Sequence, residues 1–119
     1  MSKRETGKNG EEIAENLLTS QNYEIISKNY NCRWGEIDIV AIDRSETKQL
    51  VFVEVKARTG DLFGLPEESV NFAKKRKILR TVTHFFENKK MRLPWRIDVI
   101  AIKLDRSGKL RQINHYKNI

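Results

Sequence analysis

The chain has 119 residues, with twenty-three Lys and Arg against sixteen Asp and Glu, a formal net charge of +7 and a pI near 9.7. That length suits one domain with a core of its own, needing neither disulfides nor a structural metal. The charge favours polyanionic partners and says nothing about fold. The lone Cys32 excludes an internal disulfide framework and a Cys-rich zinc site, and fits a reduced cytosolic setting. No signal peptide is expected, because the N-terminus is charged from Lys3 and no apolar h-region follows. The longest apolar runs are strand-length, which argues against a membrane span.

Met1 to Asn9 is polar and reads as loose. From Gly10, the spacing of Ile13, Ala14, Leu17 and Leu18 predicts a helix ending near Ser20 to Asn22. A first strand is expected over Tyr23 to Tyr30, then a turn from Asn29 to Trp34 closed by Gly35. A second strand follows over Glu36 to Ile42, and a polar hairpin loop over Asp43 to Gln49. A third strand runs from Leu50 to Ala57. Thr59 to Pro66 reads as a loop, and Pro66, Glu67 and Glu68 suit the start of a helix continuing to about Asn88. Strands over Trp95 to Leu104 and Leu110 to Tyr116, with a turn at Arg106 to Gly108, complete an αβββαββ order. A hairpin-rich sheet followed by a helical crossover indicates an α/β sandwich in place of a doubly wound nucleotide fold.

The second and third strands each carry acids beside apolar positions. If the Asp43–Gln49 loop closes symmetrically, Ile42 faces Leu50, Val40 faces Phe52, Asp38 faces Glu54 and Glu36 faces Lys56. Directly opposed side chains have Cβ atoms about 4.5–5.5 Å apart. Two carboxylates at that separation repel unless a cation bridges them or one is protonated. Mg²⁺ commonly takes one or two carboxylates and leaves positions for phosphate oxygens. On this reading Asp38 and Glu54 hold Mg²⁺ or Mn²⁺, which polarises a scissile phosphate and acidifies a water. The Val55 carbonyl is a further oxygen donor. Lys56 would orient that water or offset transition-state charge. Glu11 shares a helix face with Ala14 and Leu18, so it points toward the packed side and within reach of the metal.

Each of these residues also has a plainer reading. Glu36 is a plausible ion-pair partner for Lys56, which would remove that lysine from catalysis. Asp98 stands on one strand face with Arg96 and suits a structural pair better than catalysis. His84 and His115 lack a second ligand at metal spacing, and Cys32 lacks a nearby base. Lys74, Lys75, Arg76 and Lys77 with Arg80, the cluster Lys89, Lys90 and Arg92, and Arg58 form either solvated faces or a phosphate-tracking surface. Trp34 either stacks on an unpaired base or covers the core.

Taken together, Gly7-x-x-Gly10-Glu11-x-x-Ala14, Gly35-Glu36-Ile37-Asp38, Val51-Phe52-Val53-Glu54-Val55-Lys56-x-Arg58, Gly64-x-Pro66-x-x-Ser69-Val70-x-x-x-Lys74 and Arg96-Ile97-Asp98-Val99 resemble the YraN-like bacterial family over nearly the whole chain. That family is similar to a minimal member of the PD-(D/E)xK restriction-endonuclease-like superfamily, related in plan to archaeal Holliday-junction resolvases. The resemblance implies an α+β fold with an αβββαβ core, a mixed sheet flanked by helices. It implies that Glu11, Asp38, Glu54 and Lys56 occupy the superfamily's acidic and lysine positions. Ile37 stands where a proline often precedes the aspartate. The resulting expectation is a cytosolic Mg²⁺- or Mn²⁺-dependent DNA endonuclease, acting on branched or single-stranded structures, with RNA as a possible substrate. A symmetric homodimer is plausible by analogy. The alternatives are a non-catalytic nucleic-acid-binding module on a nuclease scaffold, and an interaction protein whose basic helix binds an acidic partner.

Overall fold

The alternating and near-continuous apolar stretches fold as strands, and the 3.6-period stretches as helices on either side of them. A computed structural model describes residues 2–45, 47–60 and 72–119, with Phe72 described by its backbone alone. In chain order these form α1 (Lys3–Ser20), β1 (Tyr23–Cys32), β2 (Gly35–Asp43), β3 (Gln49–Thr59), α2 (Phe72–Asn88), β4 (Trp95–Leu104) and β5 (Leu110–Tyr116). The strands make one mixed sheet in the order β1-β2-β3-β4-β5. Every neighbouring pair is antiparallel except β3–β4. A parallel pair needs a crossover connection, and α2 lies within it. This is the expected αβββαβ core, with β5 added at the edge.

The central strands β2, β3 and β4 are buried on both faces over most of their length. Ala14 and Leu18 of α1 pack against Ile39, Ala41, Val51, Val53, Ala57 and Ile100 on one side. On the other, Ile78, Val82 and Phe85 of α2 pack against Val40, Ile42, Leu50, Phe52 and Ile97. Strands covered on both faces read as continuous apolar runs instead of a clean alternation. Val51–Val53 and Ile100–Ile102 have that character. Among the described residues, no helix is long and apolar enough to cross a membrane.

Three boundaries differ from the sequence reading by more than one residue. The segment expected to be loose up to Asn9 is helical from Lys3. Ser2 caps it: its Oγ accepts from the Glu5 N–H at 3.1 Å, and Glu5 places an acid in the first turn. β1 runs on to Cys32, so the turn shrinks to Arg33 and Trp34. β3 continues to Thr59. β4 and β5 have the expected bounds, and α2 ends at Asn88 as read. The expected helix start at Pro66 and the Gly64 turn lie outside the described residues.

A buried ionic network ties together the strand ends away from Glu54. Arg96 donates from Nε to Asp98 at 3.0 Å, from Nη1 to Asp43 at 3.2 Å and Gln49 at 2.8 Å, and from Nη2 to the Tyr23 hydroxyl at 2.8 Å. Asp98 is fully buried and also accepts from His115 Nε2 at 2.7 Å and the Asn118 N–H at 2.9 Å. Burial works against the Asp98 charge, and these donors outweigh it, holding its carboxyl below the ordinary range. The structural role expected for Arg96 and Asp98 is the one they have.

Candidate metal centre and nucleic-acid surface

β2 and β3 pair as the symmetric loop requires, with Ile42 opposite Leu50 and Val40 opposite Phe52, but the pairing ends at Ile39 opposite Val53. Beyond that point the Asp38 carboxylate replaces the backbone. Its Oδ2 accepts the Val55 N–H at 2.7 Å, a donor that a continued ladder would direct to the β2 main chain. Asp38 thus sits in an opening between the two strands. The expected opposition of Glu36 and Lys56 does not form. Glu36 instead pairs in register with Asn31 of β1.

Glu11 reaches this opening because α1 lies very close to β3. A Cβ built on Gly10 would lie 2.4 Å from the Ala57 Cβ, a separation real Cβ atoms do not adopt. Glycine therefore permits the approach that places the next residue, Glu11, over the end of β2. One carboxylate oxygen from each of Glu11, Glu36 and Asp38 lies within 4.8 Å of the others. Burial first, then the charge of Glu54 with those of Glu11 and Glu36, pushes Asp38 up to about 7 despite the Val55 hydrogen bond. Burial and Glu36 likewise raise Glu11. A cleft of about 540 Å³ opens here, lined by Lys3, Glu11, Asp38, Lys56 and Arg58 among others.

Glu54 lies close enough to Asp38 to act on its charge but turns toward α2, where its Oε1 is 2.9 Å from Lys74 Nζ. Lys56 stands beside that pair. Its burial, with Lys74 as neighbour, lowers it to about 8. Burial opposes the charge of Lys74 too, but hydrogen bonding to Lys56 and the Glu54 ion pair hold it above its ordinary value. Glu11 and Asp38 therefore come together with Glu36, while Glu54 and Lys56 form an adjoining cluster around Lys74. A set of crowded carboxylate oxygens fits a hard divalent cation such as Mg²⁺ or Mn²⁺. Glu11, Glu36 and Asp38 would hold it, with Glu54 next to them.

Two residues join the site beyond the expected set: Glu36, whose plainer reading is an ion pair with Lys56, groups with Glu11 and Asp38 instead, and Asn29 reaches the same acids. The side-chain amide of Asn29 ends 2.8 Å from Glu11 Oε1 and 3.1 Å from Glu36 Oε1. The alternation of Glu36 with Asp38 was a usable signal for the first; nothing local pointed to the second. Lys75, Arg76 and Lys77 are exposed on α2, and Arg58 is exposed on β3 with Nη1 donating to its neighbour's carbonyl, Ala57 O. Trp34 lies at the β1–β2 tip, 36% exposed, with the Arg33 and Arg80 guanidinium carbons 4.3 and 5.0 Å from its ring centroid. It does not cover the core. Gly35, at φ 152°, follows that turn as the first residue of β2 and sits against Thr81 of α2.

Comparison with known proteins gives a consistent family assignment. The UPF0102 protein of Desulforamulus reducens is 39% identical over 114 residues, covering 94% of this chain and 92% of its own. That of Caldicellulosiruptor saccharolyticus is 37% identical over 119 residues, covering 99% and 98%. That of Clostridium tetani is 45% identical over 100 residues, covering 83% and 80%. Residues 10–102 match the model of the uncharacterised protein family UPF0102, a span containing Glu11, Asp38, Glu54 and Lys56, and the chain belongs to that family.

Proposed function

We propose that this protein is a divalent-metal-dependent endonuclease that hydrolyses phosphodiester bonds in DNA carrying branched or single-stranded segments. The observation that carries this reading is the convergence of the Glu11, Glu36 and Asp38 carboxylates in an opening of the sheet, where, among the described residues, no lysine or arginine forms a salt bridge with them as Arg96 does with Asp43 and Asp98. A bound cation would supply Lewis acidity toward a phosphate oxygen and lower the pKa of a water.

The chain's own groups do the rest. The Val55 N–H fixes one Asp38 oxygen and hence the orientation of the other. Lys56, at the cleft, donates to phosphate oxygens and offsets the negative charge that builds there in the transition state. Arg58 and the α2 residues Lys75, Arg76 and Lys77 track the backbone phosphates, and Trp34 offers a stacking surface for an unpaired base. A two-fold dimer would extend this small footprint along the nucleic acid.

The test is cleavage of labelled branched, single-stranded and duplex DNA, with and without Mn²⁺, by wild type, Asp38→Asn and Lys56→Ala. Loss of roughly 10²-fold or more in each variant is expected. Metal-dependent cleavage that survives both substitutions would place the chemistry elsewhere. A second reading, a non-catalytic nucleic-acid-binding module, is favoured by the ion pair that already satisfies Glu54 through Lys74. It requires DNA binding without Mn²⁺ binding and without cleavage.

A further inference from the structure

Asn29 lies inside β1 with φ at 53°, a left-handed backbone in the middle of a strand. The strand continues on both sides: Lys28 pairs with Ile39 and Tyr30 with Ile37. Asn29 therefore stands opposite Asp38 and is not a turn residue. Asparagine enters this conformation more readily than other residues with a side chain, but it is still uphill, and such conformations persist where the surroundings over-determine them. Here the local twist brings the side-chain amide to 2.8 Å from Glu11 Oε1 and 3.1 Å from Glu36 Oε1.

An amide presents two different groups to such a spot. Turned one way, its NH₂ donates to both carboxylates and eases their repulsion. Rotated half a turn about its terminal bond, it places a carbonyl oxygen among carboxylate oxygens, an arrangement that only a cation makes favourable. Carbonyl oxygens of Asn are ordinary ligands for hard divalent ions.

Building on the metal-dependent reading above, we infer that Asn29 is a neutral oxygen donor at the Glu11–Glu36–Asp38 cluster, its amide nitrogen holding two of the acids together without a cation and its carbonyl oxygen turning to a divalent cation when one binds. The left-handed backbone is what aims it. Such a ligand adds an oxygen without adding charge, which matters where three carboxylates already crowd.

The test is calorimetric titration of the full chain with Mn²⁺, paired with thermal melting with and without Mn²⁺. Asn29→Gly keeps the left-handed backbone accessible and removes the amide. Asn29→Asp keeps the oxygens and removes the NH₂. Asn29→Gly should weaken Mn²⁺ binding roughly 10-fold or more. Asn29→Asp should bind Mn²⁺ at least as tightly as wild type, melt lower than wild type without metal, and gain more on adding it. Mn²⁺ affinity of Asn29→Gly within about twofold of wild type, or an Asn29→Asp variant weaker than Asn29→Gly, would reduce Asn29 to a backbone device. Wild type that binds no Mn²⁺ would overturn the metal-dependent reading itself, and this inference with it.

Discussion

Gly10→Ala sets two elementary effects against each other. Alanine is the better helix former by about 1 kcal/mol, so propensity alone says the substitution stabilises α1. Packing says the opposite. The added Cβ would lie 2.4 Å from the Ala57 Cβ, about 1 Å inside an ordinary contact, and Ala57 has no flexible end with which to yield. The helix or the central strand must move, and overpacking of this kind costs about 1–3 kcal/mol, occasionally more. With the separation this short the upper part of that range applies, so the net loss should be about 1–2 kcal/mol in urea unfolding. The movement also lifts Glu11 away from Asp38, so Mn²⁺ binding should weaken together with stability. Ala57→Gly removes the opposing Cβ at a strand cost of about 0.5–1 kcal/mol. The double variant should then keep the helix gain without the clash and return to within about 0.5 kcal/mol of wild type, a coupling near 2 kcal/mol. A stabilised Gly10→Ala, or two effects that simply add, would refute the idea that this contact positions Glu11.

Other consequences can be checked with the same preparations. Arg96→Met leaves Asp98 fully buried and Asp43 nearly so without their guanidinium, and should lower stability by about 3–5 kcal/mol in urea; a loss under about 1 kcal/mol would contradict the network's role. Asp98 has a folded pKa depressed below its unfolded value, so its contribution is present above about pH 4 and is lost as pH falls through the folded pKa; Asp98→Asn should flatten that acid limb of the stability curve. Asp38 has the opposite sign, because its folded pKa, about 7, lies above the unfolded one. Stability should therefore fall as pH rises from about 4 through 7, and Asp38→Asn should exceed wild type at pH 8 by on the order of 2–4 kcal/mol and by little at pH 4. Equal pH dependence in the two proteins would exclude the crowding. Trp34→Ala should weaken binding of a single-stranded oligonucleotide in EDTA by about 1–3 kcal/mol, read by fluorescence anisotropy, and affect a blunt duplex much less; equal losses would remove the stacking role.

The strands and helices were legible because burial imposes a period, and the hairpin between β2 and β3 could be read to the residue because its loop fixes the register. That register correctly put Val40 opposite Phe52, and it failed where a side chain displaced the backbone. No pattern in the sequence announces that Asp38 will take the Val55 N–H, so the opening of the sheet and the partners of Glu36 were out of reach. The helical start at Lys3 was readable in principle from Ser2 and Glu5, and the polar composition of the segment hid it. Lys74 as the partner of Glu54 depends on how α2 lies across the sheet, a tertiary fact. Asn29 was the least accessible, since asparagine in a strand is disfavoured and gives no hint of its use.

The two polar clusters on this sheet obey different rules, and the difference is the best argument for function. Asp43 and Asp98 are buried with donors enough to hold both charges: Arg96, His115 and the backbone N–H groups of Ser45 and Asn118. Both carboxyls are accordingly held low, as a structural site requires. Among the described residues, Glu11, Glu36 and Asp38 are close together with one backbone N–H and one asparagine amide as hydrogen-bond donors and no salt bridge, Lys28 acts on Glu11 through its charge alone, and Asp38 is driven to about 7. Lysine is available nearby, yet Lys74 goes to Glu54, and Lys56 stands in its company. A fold that neutralises one pair of buried acids so fully has the means to neutralise the other. Leaving the second cluster without a salt bridge among the described residues lowers stability near neutral pH, a loss that a bound divalent cation would reverse.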